Sequence, residues 1–279
     1  MTDDPARISS LVREHLSSSE ADAYLRLAKP AVSLRHSASE TLRGSHFGGA
    51  ARLDQDQVWP ISRGVALSLI AVLNLAELDG FDSDLELPNR GFLNLFYDAE
   101  TQPWGFDPAD LGGWQAVLAG DVSAADRDAP VGATRFSYVG LEPVQILSTP
   151  GWQEEAVSEI YRRDDDALIE LCEALDGVAA GWGPRHQLGG WPALQQDPFW
   201  DECQLASNGI YVGDPSGYAD PRAKELLDGV DDWRLLAQID SDDDAGWMWG
   251  DTGSLYYAMR AADLPDSEFD RTWLVLQCG

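Results

Sequence analysis

With 279 residues, 44% of them hydrophobic and 11 of them tryptophan, the chain carries enough large apolar side chains to bury a substantial core, which excludes disorder as its overall state. A formal net charge of −29, from 48 acidic against 19 basic side chains, excludes a nucleic-acid or anionic-membrane binder: Lys occurs only at Lys29 and Lys224, and no basic run exists to displace phosphate counterions. Three cysteines, Cys172, Cys203 and Cys278, are odd in number and lack CxxC spacing, so they predict reduced thiols.

The N-terminus is acidic and has no apolar h-region, and no stretch approaches about 18 uninterrupted apolar residues, so the expectation is a cytoplasmic protein, neither exported nor membrane-spanning. Asp4-Pro5 predicts a helix start, with Ile8, Leu11, Val12 and Leu16 on one face. Ser17-Ser18-Ser19 interrupts it, and Glu20 to Ala28 predicts a second short helix ended before Pro30. From Ala31 the texture changes to short β-rich segments, among them Ala66 to Asn74, Gly91 to Tyr97 and Trp114 to Leu118. Gly151 to Leu175 returns to helical spacing, with Ala167, Leu168, Leu171, Cys172 and Leu175 as its stripe. Strands resume after Gly177, most clearly at Leu235 to Asp240, Ser254 to Arg260 and Arg271 to Gln277.

The second β-rich stretch repeats the first. Gly48, Gly49, Leu53, Gln55, Asp56 and Trp59 recur as Gly189, Gly190, Leu194, Gln196, Asp197 and Trp200 at one constant offset, and a histidine, His46 or His186, precedes each window. Ala71 to Asn74 then answers to Ala237 to Asp240, and Gly91 to Leu93 to Gly253 to Leu255, in the same order but with a drifting offset, as loop insertions produce. A unit of this length is too long for a solenoid repeat. The expected fold is therefore α+β and mostly antiparallel: a helical N-terminal segment over 1–30, a first β-rich repeat over 31–150, a helical connector over 151–176 and a second β-rich repeat over 177–279. The two pseudo-symmetric repeats are expected to pack into one body.

His186-Gln187-Leu188-Gly189-Gly190-Trp191-Pro192, Cys203-Gln204-Leu205, Trp233 to Asp242, Met248 to Tyr257 and the closing Leu276-Gln277-Cys278 resemble the motifs of the YwqG-like family, a bacterial domain family of mostly unassigned function. The resemblance covers most of residues 40 to 279 and is most specific in the C-terminal half. It implies an α+β fold with duplicated, largely β subdomains, and brings no reaction with it. The N-terminal half departs from the pattern, with Ala51 in the segment where the family tends to have proline and Val72 where it tends to have glutamine. Where the family has two symmetric sites, the departure implies loss of the first. Neighbourhood to toxin genes in some members implies an immunity role by analogy.

Asp240, Asp242 and Asp244 fall at positions 1, 3 and 5 of a calcium-type loop, and Asp251 at 12. Ala245 stands where such a loop needs glycine, so the reading is a solvated acidic turn between strands. For transition metals the candidates His46, His186 and Cys203 form no recognised pair, and for nucleophilic catalysis Cys203 with His186 has no local signature, Cys203 reading as a buried strand residue. The expectation is no catalytic residue, no metal and no cofactor. Gln55, Asp56, Gln196, Asp197, Gln204 and Gln238 are polar groups within apolar segments that either knit the two halves together or line a polar cleft. Trp191, Trp200, Trp233, Trp247 and Trp249 gather on the same motifs and mark a candidate aromatic groove. The ligand-binding candidates are His186, Gln187, Trp191, Gln196, Asp197, Gln204, Gln238, Asp240, Asp242, Trp249 and Asp251. Together these features predict a noncatalytic binding or interaction protein, of the immunity type, with a basic protein as partner. The alternatives are a hydrolase-like enzyme with an acidic site at Asp240, Asp242 and Asp251, or a module for a small molecule or divalent cation. The sequence does not fix the oligomeric state.

Overall fold

The structure is a computed structural model that describes residues 5–38, 43–120, 124–158, 160, 165–180 and 183–279. It opens with helices α1 (Pro5–His15) and α2 (Ser18–Leu27). Pro5 sits in the first turn of α1, where a missing N–H costs nothing. Ser17 is the N-cap of α2 and Glu20 reaches back to its backbone N–H at 3.2 Å, so the serine run is a cap between two helices. Ile8, Val12 and Leu16 of the first helical stretch and Ala21 and Tyr24 of α2 are buried against Val157 of α4 (Glu155–Ser158) and Leu168 and Leu171 of α5 (Asp165–Ala180). A short helix, α3 (Leu75–Leu78), precedes α4 in the chain. The preface and the connector thus form one apolar cluster, and Tyr24 Oη ties it to the sheet side by donating to Pro150 O at 2.7 Å.

Among the described residues fourteen strands occur, in chain order: β1 (Lys29–His36), β2 (His46–Phe47), β3 (Ala51–Leu53), β4 (Ile61–Ser62), β5 (Val65–Ala66), β6 (Ser68–Asn74), β7 (Phe92–Tyr97), β8 (Trp114–Ala119), β9 (Ala125–Arg127), β10 (Val139–Ser148), β11 (Gln187–Leu188), β12 (Trp233–Asp240), β13 (Ser254–Arg260) and β14 (Trp273–Gln277). Ten of them make one antiparallel sheet in the order β14-β13-β12-β11-β1-β10-β2-β6-β7-β8, while β3 pairs with β9 and β4 with β5. The long strands β1 and β10 pair from Lys29↔Ser148 to His36↔Leu141 at its centre. One wing runs outward through β2, β6, β7 and β8, the other through β11, β12, β13 and β14.

Registers in the wings correspond. His46 faces Val72 and Phe47 faces Ala71, while Gln187 faces Gln238 and Leu188 faces Ala237. The ladder slips between Leu69 and Ala71 in β6 and between Leu235 and Ala237 in β12. Gly48-Gly49 and Gly189-Gly190 all have positive φ, which explains the paired glycines. The outer strands curl back toward each other: Trp114 of β8 meets Trp273 of β14 with ring centroids 5.0 Å apart, and Leu276 N donates to Trp104 O at 3.0 Å. The sheet is nearly closed, and its main apolar cluster draws on both wings, from Phe47, Ile70 and Leu93 to Leu235, Leu255 and Leu274.

Two local expectations are corrected. Cys203 and Gln204 lie on a helix, α6 (Trp200–Ser207), not a strand; Asp201 and Glu202 in its first turn suit a helix N-terminus, and the short apolar run could not distinguish the two. After Gly48-Gly49 and Gly189-Gly190 the paths therefore diverge, Trp59 leading into the β4–β5 hairpin and Trp200 opening α6. The last helix, α7 (Ala223–Leu226), follows α6. The turn after Asp240 is also only in part a solvated acidic loop: Asp243 and Asp244 are exposed, but Asp242 and Ala245 are buried in it. Among the described residues no helix is long and apolar enough to cross a membrane.

Glu154, just before α4, is 4% exposed and joins the helical cluster to α6, receiving Trp200 Nε1 at 3.4 and 3.3 Å from its two oxygens. Burial pushes its pKa up to about 7 against the opposing pull of Trp200 and Lys29. A carboxyl raised on folding holds its proton longer in the native state, so stability falls as pH rises from the unfolded value of about 4.3 through 7. Glu154→Gln is expected to flatten that decline and to exceed the parent protein at pH 8 by up to about 3 kcal/mol, as read from urea midpoints at pH 5 and 8.

Candidate functional site

One buried polar junction gathers residues from three separate stretches of chain. His36 closes β1, His186 immediately precedes β11, and Asp242 lies in the turn between β12 and β13. The turn is tied down by its own backbone: Asp242 N donates to Trp247 O at 3.0 Å, Trp247 N returns to Asp242 O at 3.1 Å, and Ser241 N donates to Gly253 O at 2.8 Å. An aromatic wall supports it from the first wing. Phe47 of β2 stands edge-on to the His186 ring at 4.6 Å and to Trp247 at 5.2 Å, and Trp247 stacks on Trp249 at 5.4 Å.

Within this frame His36 Nε2 lies 2.7 Å and His186 Nε2 3.0 Å from the same oxygen, Oδ2 of Asp242. The other oxygen, Oδ1, accepts the backbone N–H groups of Asp244 at 2.8 Å and Ala245 at 3.2 Å. Burial opposes the carboxylate charge, but the hydrogen bond from His186, the neighbouring His36 and the Ala245 amide outweigh it and hold the group below the ordinary carboxylate range. The proton positions follow. The amide of Asp240 donates to Nδ1 of His186 at 3.2 Å, so Nδ1 keeps its lone pair and the proton sits on Nε2, facing Asp242. An ionised carboxylate only accepts, so His36 also presents Nε2–H, leaving Nδ1 as its outward atom.

His36, His186 and Asp242 are the one group of three potential ligand residues among those described, with ligand atoms within 4.8 Å of one another. The hydrogen-bond pattern speaks against an ion at their centre. The carboxylate accepts four bonds, which uses its acceptor capacity, and His186 turns a proton, not a lone pair, toward the middle. The trio is built as a proton-filled junction.

Beside it opens a cavity of about 510 Å³ between the helical cluster and the β1–β10 pair, walled by Tyr24, Ser33, His36, Ile146, Cys172 and Trp191 among others. Of the residues singled out by sequence, His186, Gln187 and Trp191 reach this cavity. The remaining candidates lie elsewhere. Gln196 donates to Cys278 O at 2.8 Å, Asp197 O accepts Gln277 Nε2 at 2.7 Å, and Gln204 bridges Leu226 O and Trp233 Nε1 at 2.7 and 2.8 Å. Gln238 accepts from Ala193 N at 2.9 Å and donates to Asp240, whose other oxygen accepts Arg185 N at 2.7 Å. Trp249 is buried, with an indole N–H that finds no acceptor among the described residues, and Asp251 is exposed. His46 Nδ1 donates locally to Gly48 O, 3.0 Å away, and Cys203 is fully buried with its thiol pushed well up by burial.

His36 was not legible in the sequence: it stands 206 positions from its partner Asp242. The burial of Asp242 makes it distinguishable from its neighbours by stability. Asp242→Asn is expected to lower the unfolding free energy by about 1–3 kcal/mol at pH 7, because it strands two imidazole N–H groups at the junction. Asp251→Asn, at an exposed turn, is expected to stay within about 0.5 kcal/mol, urea denaturation being the measurement for both.

No curated protein matches the chain. Residues 45–278 match the family described as a domain of unknown function, DUF1963, which takes in both wings of the sheet and all but the helical preface and β1. The chain belongs to that family of domains of unknown function, DUF1963.

Proposed function

We propose that this protein is a noncatalytic binding protein whose ligand occupies the cavity between the helical cluster and the β1–β10 pair. The observation that carries the reading is the cavity itself: about 510 Å³ lies within the roughly 300–1,000 Å³ of small-molecule sites. Its walls combine apolar and aromatic surface from Ile146, Tyr24 and Trp191 with a few polar groups, Ser33, Gln187 and the rim imidazole of His36. The alternative acidic site at Asp240, Asp242 and Asp251 is a separate place, since none of the three lines this cavity. A second reading, an immunity-type complex with a basic protein in a reducing cytoplasm, draws on the charge of −29 and the three free thiols.

We also infer that the wings are diverged copies of one unit, as the YwqG-like resemblance implies. Support comes from the paired registers, from the shared ladder slip, and from His46 and Gln187, which occupy equivalent places and each bond the glycine carbonyl two residues on, at 3.0 and 2.9 Å.

The binding reading is tested with 1-anilinonaphthalene-8-sulfonate as a probe. Saturable fluorescence enhancement by the native protein is expected, with Ser33→Trp, which fills the cavity from β1, reducing it at least tenfold while the melting temperature stays close to that of the parent. Enhancement unchanged by Ser33→Trp contradicts the assignment.

A further inference from the structure

One nitrogen of the junction faces an exposed carboxylate instead of the buried one. Asp240 N–H fixes His186 with its Nε2 proton on Asp242, and Asp242 in turn draws the Nε2 proton of His36, so Nδ1 is the nitrogen of His36 left for a partner outside the junction. Oδ2 of Asp244 lies 3.4 Å from that nitrogen. That separation is too long for a good hydrogen bond, yet it fits two ligands of one metal: bonds of about 2.0–2.1 Å at a tetrahedral angle space their donor atoms about 3.3 Å apart. The His36 side chain is 29% exposed and that of Asp244 82%, so water can reach the remaining coordination positions.

We propose that His36 Nδ1 and Asp244 Oδ2 form a binding site for a divalent transition-metal ion of the zinc, nickel or copper class, with Asp242 as the carboxylate that orients the ligating histidine. Three features point the same way. An imidazole and a carboxylate together suit these ions better than calcium or magnesium, which take oxygen sets. The bond from His36 Nε2–H to a buried carboxylate is the arrangement that fixes the tautomer and raises the basicity of a ligating imidazole, and here the carboxylate is itself held by His186 and two amides. Asp244 is presented by the Asp242 carboxylate, which accepts its backbone N–H at 2.8 Å, so the two ligands are anchored to the same group. The site lies at the rim of the cavity, where His36 forms part of the wall, and a bound ion keeps open positions toward solvent.

The proposal is tested on the full-length protein by calorimetric titration with Zn²⁺ and by electron paramagnetic resonance with Cu²⁺. One saturable ion per chain is expected, with a single nitrogen coupled to copper. His36→Ala and Asp244→Asn are each expected to weaken Zn²⁺ binding at least tenfold, and Asp242→Asn by about 10–100-fold through lost orientation. Asp251→Asn is expected to change nothing. Asp244 is exposed, so its variant tests the site without endangering the fold. Absence of saturable binding overturns the proposal, as does binding indifferent to Asp244→Asn. Coupling to two nitrogens also overturns it, because the ion then sits between His36 and His186.

Discussion

Oδ2 of Asp242 is the point at which the end of β1, the approach to β11 and the turn after β12 are held together, and it works because every proton around it is assigned. The Asp240 amide fixes His186, His186 donates inward, and two backbone amides occupy the second oxygen, so the carboxylate stays ionised although it is 2% exposed. A buried charge satisfied this fully is costly to disturb, since removing one partner leaves the others unpaired. The junction therefore acts as a fixed support, and the adaptable chemistry is displaced to its rim, at His36 and Asp244.

The same support positions the cavity. β1 and β10 form the floor, and because β1 also pairs with β11 at Val32 and Ser33, the second wing is anchored to the strand that carries His36. The helical cluster closes over this floor through Tyr24 and α5. Both the preface and β1 lie before residue 45, outside the span matched to the family, while His186 and Asp242 lie within it. The cavity and the junction are thus composite, drawing on residues within the matched span and on residues before it.

Much of the architecture was legible because periodicity is a local signal. The strands at 68–74, 92–97, 114–119, 254–260 and 273–277 announce themselves by β-branched and aromatic runs between turn residues, and the first two helices by apolar spacing and a serine cap. α6 was misread because eight residues with an apolar core fit either state, and only the packing of Phe199, Cys203 and Leu205 decides. Of the site, His186 and Asp242 were visible as members of motifs, but the acidic run of Asp242, Asp243 and Asp244 gave no hint that the first is buried and the last exposed. Amides such as Gln204 and Gln238 were visible as polar intrusions; their partners, Leu226, Trp233 and Ala193, depend on tertiary contacts that sequence does not carry.

The claim on which the site rests is the placement of protons on two imidazoles. Long-range ¹H–¹⁵N correlation spectra of the histidine rings at pH 7.5 read it directly. A proton on Nε2 of both His36 and His186, with a lone pair on Nδ1 of His186, is the result required by the Asp240 amide and the Asp242 carboxylate. A proton on Nδ1 of His186, or rings that average freely between tautomers, contradicts the account.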